Sequence, residues 1–342
     1  MAIYPWQINV WQQLMSAKQA LPHALLLQGK SGIGKLDLAR DLAQALLCEA
    51  PLPGGEACGQ CAACSWYVAG SHPDFRLMEP EGAGAATTDA PEGARPTEKK
   101  AGNLITVAQV RDLADFVNLT THRNGMRVIL IHPAESMNVH AANALLKTLE
   151  EPPPRSLFIL VSHQPQRLLP TVRSRCRKID LPAPAPEQSI QWLSEQGVAE
   201  AHSCLTQSGN APLDARRLSS PEYQEQRTRF LTRLGEPDRL DPLELAEQAE
   251  KLDLAWVVNW LQKWVYDLVG VRLTGKVRYQ TDFSSKISLL ASNIDLVRLL
   301  SYQRDLLSVY RTLQHPLNTR LVLEQTLVAY WQLVTPQERV HV

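Results

Sequence analysis

A glycine-rich segment near the N-terminus has the residue types of a phosphate-binding loop. Gly29, Gly32, Gly34 and Lys35 fit the pattern G-x-x-x-x-G-K. In such a loop the backbone N–H groups surround phosphates at the start of a helix, and the lysine reaches the β- and γ-phosphate oxygens. An apolar run precedes this segment and a helical pattern follows it, which is the context that the motif requires. The sequence therefore predicts a P-loop fold and leaves binding of ATP or ADP open.

The positions that hold a catalytic metal in P-loop enzymes carry unsuitable residues. In an ATPase the lysine is followed by Ser or Thr, whose hydroxyl binds Mg²⁺, but here Leu36 follows. The next apolar strand pattern runs into His132 and Pro133 instead of an acidic residue, and Glu135 lies beyond the expected position. These replacements favour a P-loop retained as architecture over ATP hydrolysis by this chain.

A cluster of four cysteines has the spacing of a metal site. Cys48, Cys58, Cys61 and Cys64 form the pattern C-x9-C-x2-C-x2-C. Four thiolates complete the tetrahedral shell of Zn²⁺ and leave no position for water or substrate. We therefore predict a structural zinc ion. Core cysteines without a metal and a redox role of C-x-x-C are the alternatives.

Strand and helix patterns alternate around these motifs. Apolar runs typical of buried strands are followed by helical patterns, and this alternation predicts an α/β fold with a mainly parallel sheet. The predicted strands cover 23–28, 127–131 and 157–161, and the predicted helices cover 35–47, 106–119 and 141–150.

Composition divides the chain further. Residues 79–101 contain no Val, Ile, Leu, Met or aromatic residue, so we predict a disordered insertion that cannot bury enough apolar surface to fold. A proline-rich connector over 181–187 separates the α/β part from purely helical patterns. We predict an α/β domain over 1–165, a small helical domain over 166–208 and an all-helical domain over 209–342.

Charge and hydropathy exclude several functions. Of the 342 residues, 35 are Lys or Arg and 35 are Asp or Glu. The whole chain therefore has no net positive charge that would favour binding to nucleic acid. No apolar stretch approaches the roughly 18 residues that a membrane span needs, and the N-terminus lacks a secretory signal. We therefore expect a cytoplasmic protein with no membrane contact.

Trp256, Trp260 and Trp264 fall on one face of a predicted helix. A stacking platform for bases is one interpretation of this spacing. The intervening Val and Leu residues favour the other, a buried helix of a packed bundle.

Two further segments resemble a known family. N-A-L-L-K-T-L-E-E-P-P over 143–153 and L-P-T-V-R-S-R-C over 169–176 resemble the clamp-loader subunits of the AAA+ family, whose hallmark is the triplet Ser-Arg-Cys. The bacterial members share the cysteine module inserted after the P-loop helix. The resemblance covers about 1–180, and it implies a RecA-like AAA+ domain with this zinc module, a small helical lid domain and a helical collar domain for oligomerisation.

The resemblance also implies a role for Arg175. In the family, the arginine of Ser-Arg-Cys reaches the γ-phosphate bound by the neighbouring subunit and acts as an arginine finger. Such arginines contribute about 10³ to 10⁵ in rate. From the residues alone, Arg175 is one of a basic run with Arg173, Arg177 and Lys178, and an ordinary solvated segment is the alternative.

The implied function is that of a non-hydrolysing clamp-loader subunit within the DNA polymerase III holoenzyme, a nucleotidyltransferase complex. Its implied partners are the gamma/tau and delta subunits in a hetero-oligomeric ring, with the sliding clamp and primed DNA reached through the assembly. One alternative is an active ATPase subunit that uses Lys35 for its own nucleotide. Another is a free-standing, zinc-stabilised nucleotide-binding protein.

Overall fold

The chain forms two compact units, Met1–Gln188 and Ser189–Val342. The structure is a computed structural model that describes residues 3–81, 104–118, 125–312 and 318–335. Among the residues that it describes, none of the helices combines the length and the apolar character that crossing a bilayer requires.

The first unit contains a parallel sheet. Its strands lie in the order β2-β3-β4-β1-β5, and every pair of neighbours is parallel. The central strands β1, β3 and β4 are almost entirely buried, as expected for a parallel sheet covered on both faces. The strands are β1 (Ala24–Gln28), β2 (Phe75–Met78), β3 (Arg127–Ile131), β4 (Ser156–Ser162) and β5 (Arg177–Asp180).

Helices cover both faces of this sheet. They are α1 (Ile8–Ser16), α2 (Lys35–Leu47), α3 (Ala62–Val68), α4 (Val107–Asn118), α5 (Val139–Glu150) and α6 (Pro170–Ser174), and α7 (Pro186–Glu195) runs across the border between the units. Successive strand residues point to opposite faces. Leu25 and Leu27 therefore belong to the core that contains residues of α1 and α2. Leu26 and Ile129 belong to the core that contains residues of α4 and α5.

The predicted α/β pattern is confirmed, with two strands added. The predicted strands and helices of the sheet domain match β1, β3, β4, α2, α4 and α5 to within one or two residues. Strands β2 and β5 were not predicted, because they have only four residues each and neither is a continuous apolar run: Arg76 interrupts the apolar residues of β2, and β5 begins with Arg177 and Lys178.

Strand β5 changes the domain boundary. Because β5 pairs with β1, the first unit extends past the predicted limit at residue 165. The predicted small helical domain over 166–208 is consequently divided between the two units, and a separate lid domain stays a prediction. Of the predicted disordered insertion, residues 82–101 lie outside the described part of the chain, whereas Glu79–Glu81 are described.

In its described part, the second unit is helical. After α7 come α8 (Ala201–Gln207), α9 (Pro212–Leu218), α10 (Pro221–Leu234), α11 (Pro242–Ala249), α12 (Leu254–Thr274), α13 (Ser284–Asn293), α14 (Leu296–Thr312) and α15 (Thr319–Val334). Side chains of Ser220, Asp241 and Asp253 accept N–H groups at the starts of three of these helices, which satisfies donors that the first helical turn leaves open.

The tryptophan stripe of α12 forms part of a core, as predicted. Trp260 and Trp264 are fully buried. The Trp260 indole N–H donates to the Tyr223 hydroxyl at 2.7 Å, and that of Trp264 to the Tyr330 hydroxyl at 2.8 Å. Trp256 lies at the edge of this core and is 38% exposed. The burial of two of the three rings argues against a stacking platform for bases.

We expect Tyr330→Phe to lower the free energy of unfolding by about 1–3 kcal/mol, since it leaves the buried Trp264 N–H without an acceptor. The Tyr330 hydroxyl also donates to the Leu234 carbonyl at 3.0 Å, so a second buried group loses its partner. Urea unfolding of the full chain measures the change. Tyr310→Phe, at a half-exposed tyrosine of α14, is the matched control, and equal losses for both variants would contradict the analysis.

Candidate functional site

The P-loop lies between β1 and α2, and two of its glycines are required by their surroundings. Gly34 has φ +85°, and a Cβ there would lie 2.5 Å from the Tyr4 ring. A Cβ on Gly29 would collide with the carbonyl oxygen of Leu181. Gly32 also has a positive φ, 72°. The predicted loop therefore accepts only glycine at positions 29 and 34, and its backbone favours glycine at position 32.

Lys35 is the first residue of α2 and is 2% exposed. Its Nζ donates a hydrogen bond to the Lys30 carbonyl oxygen within the same loop. Gly29, Gly32, Gly34 and Lys35 thus lie together at the N-terminus of a helix, where an anion is favoured.

Side chains of the N-terminal segment before α1 form hydrogen bonds with the loop. The side-chain N–H groups of Trp6 and Gln7 both donate to the Ile33 carbonyl at 2.9 Å, and Gln7 also donates to the Gly34 carbonyl at 2.8 Å. The Tyr4 hydroxyl donates to Asp37 of α2 at 3.0 Å. Contacts within the chain therefore fix the loop conformation, which sequence reasoning missed because these residues have no motif.

The two positions that carry metal ligands in an ATPase are used differently here. Leu36 is partly buried and packs against the apolar core on one face of the sheet. His132, directly after β3, has its Nδ1 3.2 Å from the Glu79 carboxylate and its Nε2 3.2 Å from the Nε2 of His163. An imidazole engaged in this chain of hydrogen bonds thus stands where a carboxylate would bind the metal.

His163 follows β4 and is held as a neutral imidazole. Burial, aided by the positive charge of Lys35, lowers its pKa to about 4, although the Glu135 carboxylate opposes the shift. Glu135 also accepts the backbone N–H groups of His163 and Gln164 at 2.9 and 3.1 Å. The imidazole consequently contributes no positive charge at neutral pH.

The row Glu79, His132 and His163 was not assigned from the sequence. These residues meet because β2, β3 and β4 are parallel and end at the same edge of the sheet. Glu79 was placed in the predicted disordered insertion, which is wrong for this residue, since it follows β2 directly and contacts His132. The only signal in the sequence for this row is that each residue directly follows a parallel strand. Because β2 was not predicted, that signal was incomplete for Glu79.

The four cysteines converge on one point. Their Sγ atoms all lie within 4.8 Å of one another, with 3.9 Å between Cys48 and Cys61 and 4.0 Å between Cys58 and Cys64. A tetrahedral zinc site with Zn–S bonds of about 2.3 Å has sulfur–sulfur separations of about 3.8 Å. The predicted set of ligands is therefore placed as a tetrahedral metal site requires.

Backbone N–H groups lower the pKa of two of these thiols, which favours the thiolate form that binds a cation. Those of Gln60 and Cys61 lower the pKa of the Cys58 thiol. Burial raises the pKa of Cys61, but N–H groups of Cys64 and Glu49 outweigh it and lower that pKa to about 6. Burial raises the pKa of Cys64 to about 12. A bound cation would bring this buried thiol to its thiolate form as well.

Arg175 is fixed at the end of α6. One terminal guanidinium nitrogen lies 2.6 Å from Glu150 Oε1, and the other donates to the Thr171 carbonyl at 2.9 Å. The side chain remains 34% exposed, whereas Arg177 and Lys178 on β5 are exposed. Arg175 is thus held in one orientation and contacts α5 and α6 instead of the P-loop.

Comparison with known proteins agrees with these features. The family model described as DNA polymerase III, delta subunit, matches residues 5–185, and the model of its C-terminal part matches residues 221–331. DNA polymerase III subunit delta′ of Pseudomonas aeruginosa is 36% identical over 338 residues, which are 96% of this chain and 97% of the relative. The Haemophilus influenzae subunit delta′ is 32% identical over 80% of this chain and 79% of its own length.

One solved structure aligns with most of the chain. A DNA polymerase III gamma subunit-related protein of Thermotoga maritima aligns over 96% of this chain and 100% of its own, at 16% identity and a TM-score of 0.46.

We expect the stability of the chain to fall as the pH is lowered from about 6.5 towards 4, in part because of His163. The unfolded chain binds a proton to this imidazole near its ordinary pKa, 6.5, while the folded chain does so only near 4. This difference between the two pKa values lowers the free energy of unfolding by at most about 3 kcal/mol at acidic pH. Urea unfolding at pH 7 and pH 4.5 should show a smaller pH effect for His163→Gln. His140→Gln, at an exposed histidine of α5, should keep the full effect, and an unchanged pH effect in His163→Gln would contradict the assignment.

Proposed function

The chain belongs to the family of DNA polymerase III delta′ subunits, and on this premise we propose that it is a non-hydrolysing subunit of a clamp loader. It assembles with gamma/tau and delta subunits into a ring that uses ATP to place a sliding clamp on primed DNA. The clamp and the DNA are reached through the assembly, and its place of action is the cytoplasm. Within the ring, this chain donates Arg175 to the ATP held by a neighbouring subunit.

The observation that carries the proposal is the placement of Arg175. A guanidinium that is tied at two points and partly exposed is suited to contact a phosphate outside its own domain, since it loses little side-chain freedom on binding. Such a group offsets the negative charge that develops on a transferred phosphoryl group.

The surroundings of the chain's own P-loop support the absence of hydrolysis in this subunit. The side chain after Lys35 is a leucine packed into the core, and His132 is bonded to Glu79 and His163. Neither position supplies the hydroxyl or carboxylate that holds Mg²⁺ in a P-loop ATPase. Gly29, Gly32, Gly34 and the N-terminus of α2 still fit a phosphate, so the proposal includes passive binding of ATP or ADP.

One observation favours the alternative, an active ATPase subunit of the gamma/tau type. Lys35 and the glycines of the loop are intact and correctly placed at the start of α2. In that case Lys35 would contact the phosphates of this chain's own nucleotide.

We further propose that Cys48, Cys58, Cys61 and Cys64 hold a structural Zn²⁺. The donor set and the sulfur separations fit this ion. When bound, the ion ties the segment after α2 to the start of α3. With four protein ligands it has no open position, so its contribution is to stability and not to catalysis.

We expect about one zinc per chain in protein purified without chelators, measured by plasma mass spectrometry. Cys61→Ser should lose the metal and unfold at a lower temperature. Cys204→Ser, which alters a buried cysteine of α8 outside the cluster, is the control and should retain the metal. Absence of zinc from the unaltered chain, or equal metal loss in both variants, would refute the site.

The function is tested by ATP turnover of the reconstituted loader in the presence of clamp and primed DNA. We expect Arg175→Ala to lower the turnover at the affected interface by about a hundredfold or more, while the loader still assembles. Lys35→Ala should leave the turnover unchanged. Arg177→Ala, at an exposed arginine of β5, is the matched control for loss of a positive charge.

The outcomes separate the candidates. A loss with Arg175→Ala alone supports a subunit that completes its neighbour's active site. A loss with Lys35→Ala indicates that this P-loop hydrolyses ATP, and turnover insensitive to Arg175→Ala rules out the arginine finger.

A further inference from the structure

The guanidinium of Arg175 has an acidic partner from a different helix. Glu150 is the last residue of α5, and its Oε1 lies 2.6 Å from a terminal nitrogen of Arg175. Both groups are partly exposed, at 49% for Glu150 and 34% for Arg175. The short separation describes a charge-assisted hydrogen bond between helix ends that are distant in sequence.

The pairing leaves part of the guanidinium available. Arginine carries five N–H donors in a planar fork. One of them is directed to Glu150 and one to the Thr171 carbonyl, each from a different terminal nitrogen. The remaining donors can therefore meet the oxygens of a phosphate while the two existing bonds persist.

The elements that carry the pair are themselves well anchored. In α5, Leu145 and Leu149 are buried in the core on one face of the sheet, and in α6 Val172 is buried in that same core. The side chain of Asn138 caps the start of α5 by accepting the Ala141 N–H at 2.8 Å. Glu150 and Arg175 thus extend from a rigid base, which is what accurate placement of a functional group requires.

We propose that Glu150 is a positioning residue that holds Arg175 in the orientation needed to reach a phosphate bound by an adjacent subunit. This inference rests on the proposed function and deepens it, because it assigns a second residue to the same site. Glu150 does not contact the nucleotide. It acts through Arg175, by limiting the rotamers of the guanidinium before the subunits meet.

This role predicts a particular kinetic signature. An arginine finger acts on charge that develops in the transition state, so loss of its orientation lowers kcat more than it raises KM for ATP. Glu150→Gln keeps the size of the side chain and removes the charge. We expect it to lower kcat of the reconstituted loader by about tenfold, which is less than the loss caused by Arg175→Ala.

The matched control is Glu151→Gln. Glu151 is the next residue in the chain and is exposed, and in the described part of the structure it forms no ion pair with a basic side chain. It should leave kcat and KM unchanged. Thermal unfolding of each variant chain before assembly establishes that a loss of turnover does not come from unfolding.

A double-mutant cycle decides whether Glu150 acts through Arg175. If it does, Glu150→Gln adds no further loss to Arg175→Ala, because the group that it positions is already absent. An equal tenfold loss in both backgrounds would overturn the inference, as would unchanged turnover in Glu150→Gln beside a clear loss in Arg175→Ala. The latter result leaves the arginine finger intact, whereas insensitivity to Arg175→Ala removes the finger and the positioning role together.

Discussion

The parallel pairing of β1, β3 and β4 is the constraint on which the rest of the first unit depends. It places Gln28, Ile131 and Ser162 near one edge of the sheet, with Gln28 directly opposite Ser162 in the register. The P-loop, His132 and His163 follow these strand ends and therefore come together, although they are far apart in sequence. Backbone hydrogen bonds between these strands fix the arrangement, since their residues are almost all buried and a buried N–H or C=O group without a partner is costly.

At this shared edge, the loop between β1 and α2 has the backbone form of a P-loop, and Leu36 and His132 occupy the positions that carry metal ligands in P-loop ATPases. Trp6 and Gln7 satisfy carbonyl groups of the loop, and His132 forms hydrogen bonds with both Glu79 and His163. A buried polar group is costly without a partner, so these contacts give the loop a stable conformation of its own. In the proposed function the chemistry belongs to a neighbouring subunit, and this chain contributes a guanidinium from α6.

Two other local groups of side chains are the cysteine cluster of the first unit and the buried aromatic residues of the second unit. In the cysteine module, the four Sγ atoms lie within 4.8 Å of one another, close enough to share one metal ion. In the helical unit, tryptophan and tyrosine side chains fill the core and bond to each other, so that large rings are buried without loss of hydrogen bonds. Each of these two groups lies within a single unit.

The P-loop motif, the set of four cysteines and the central strands can be recognised from the residues alone, because each has a local pattern of spacing or a continuous apolar run. The folded structure was needed to show that Glu79 lies at the end of β2, that β5 extends the sheet, and that Arg175 pairs with Glu150. Strands β2 and β5 are too short to be recognised by periodicity, and charged residues interrupt β2 and begin β5. The contacts of Glu79 and Arg175 join residues whose proximity depends on the path of the chain between them, and local residue patterns do not contain that path.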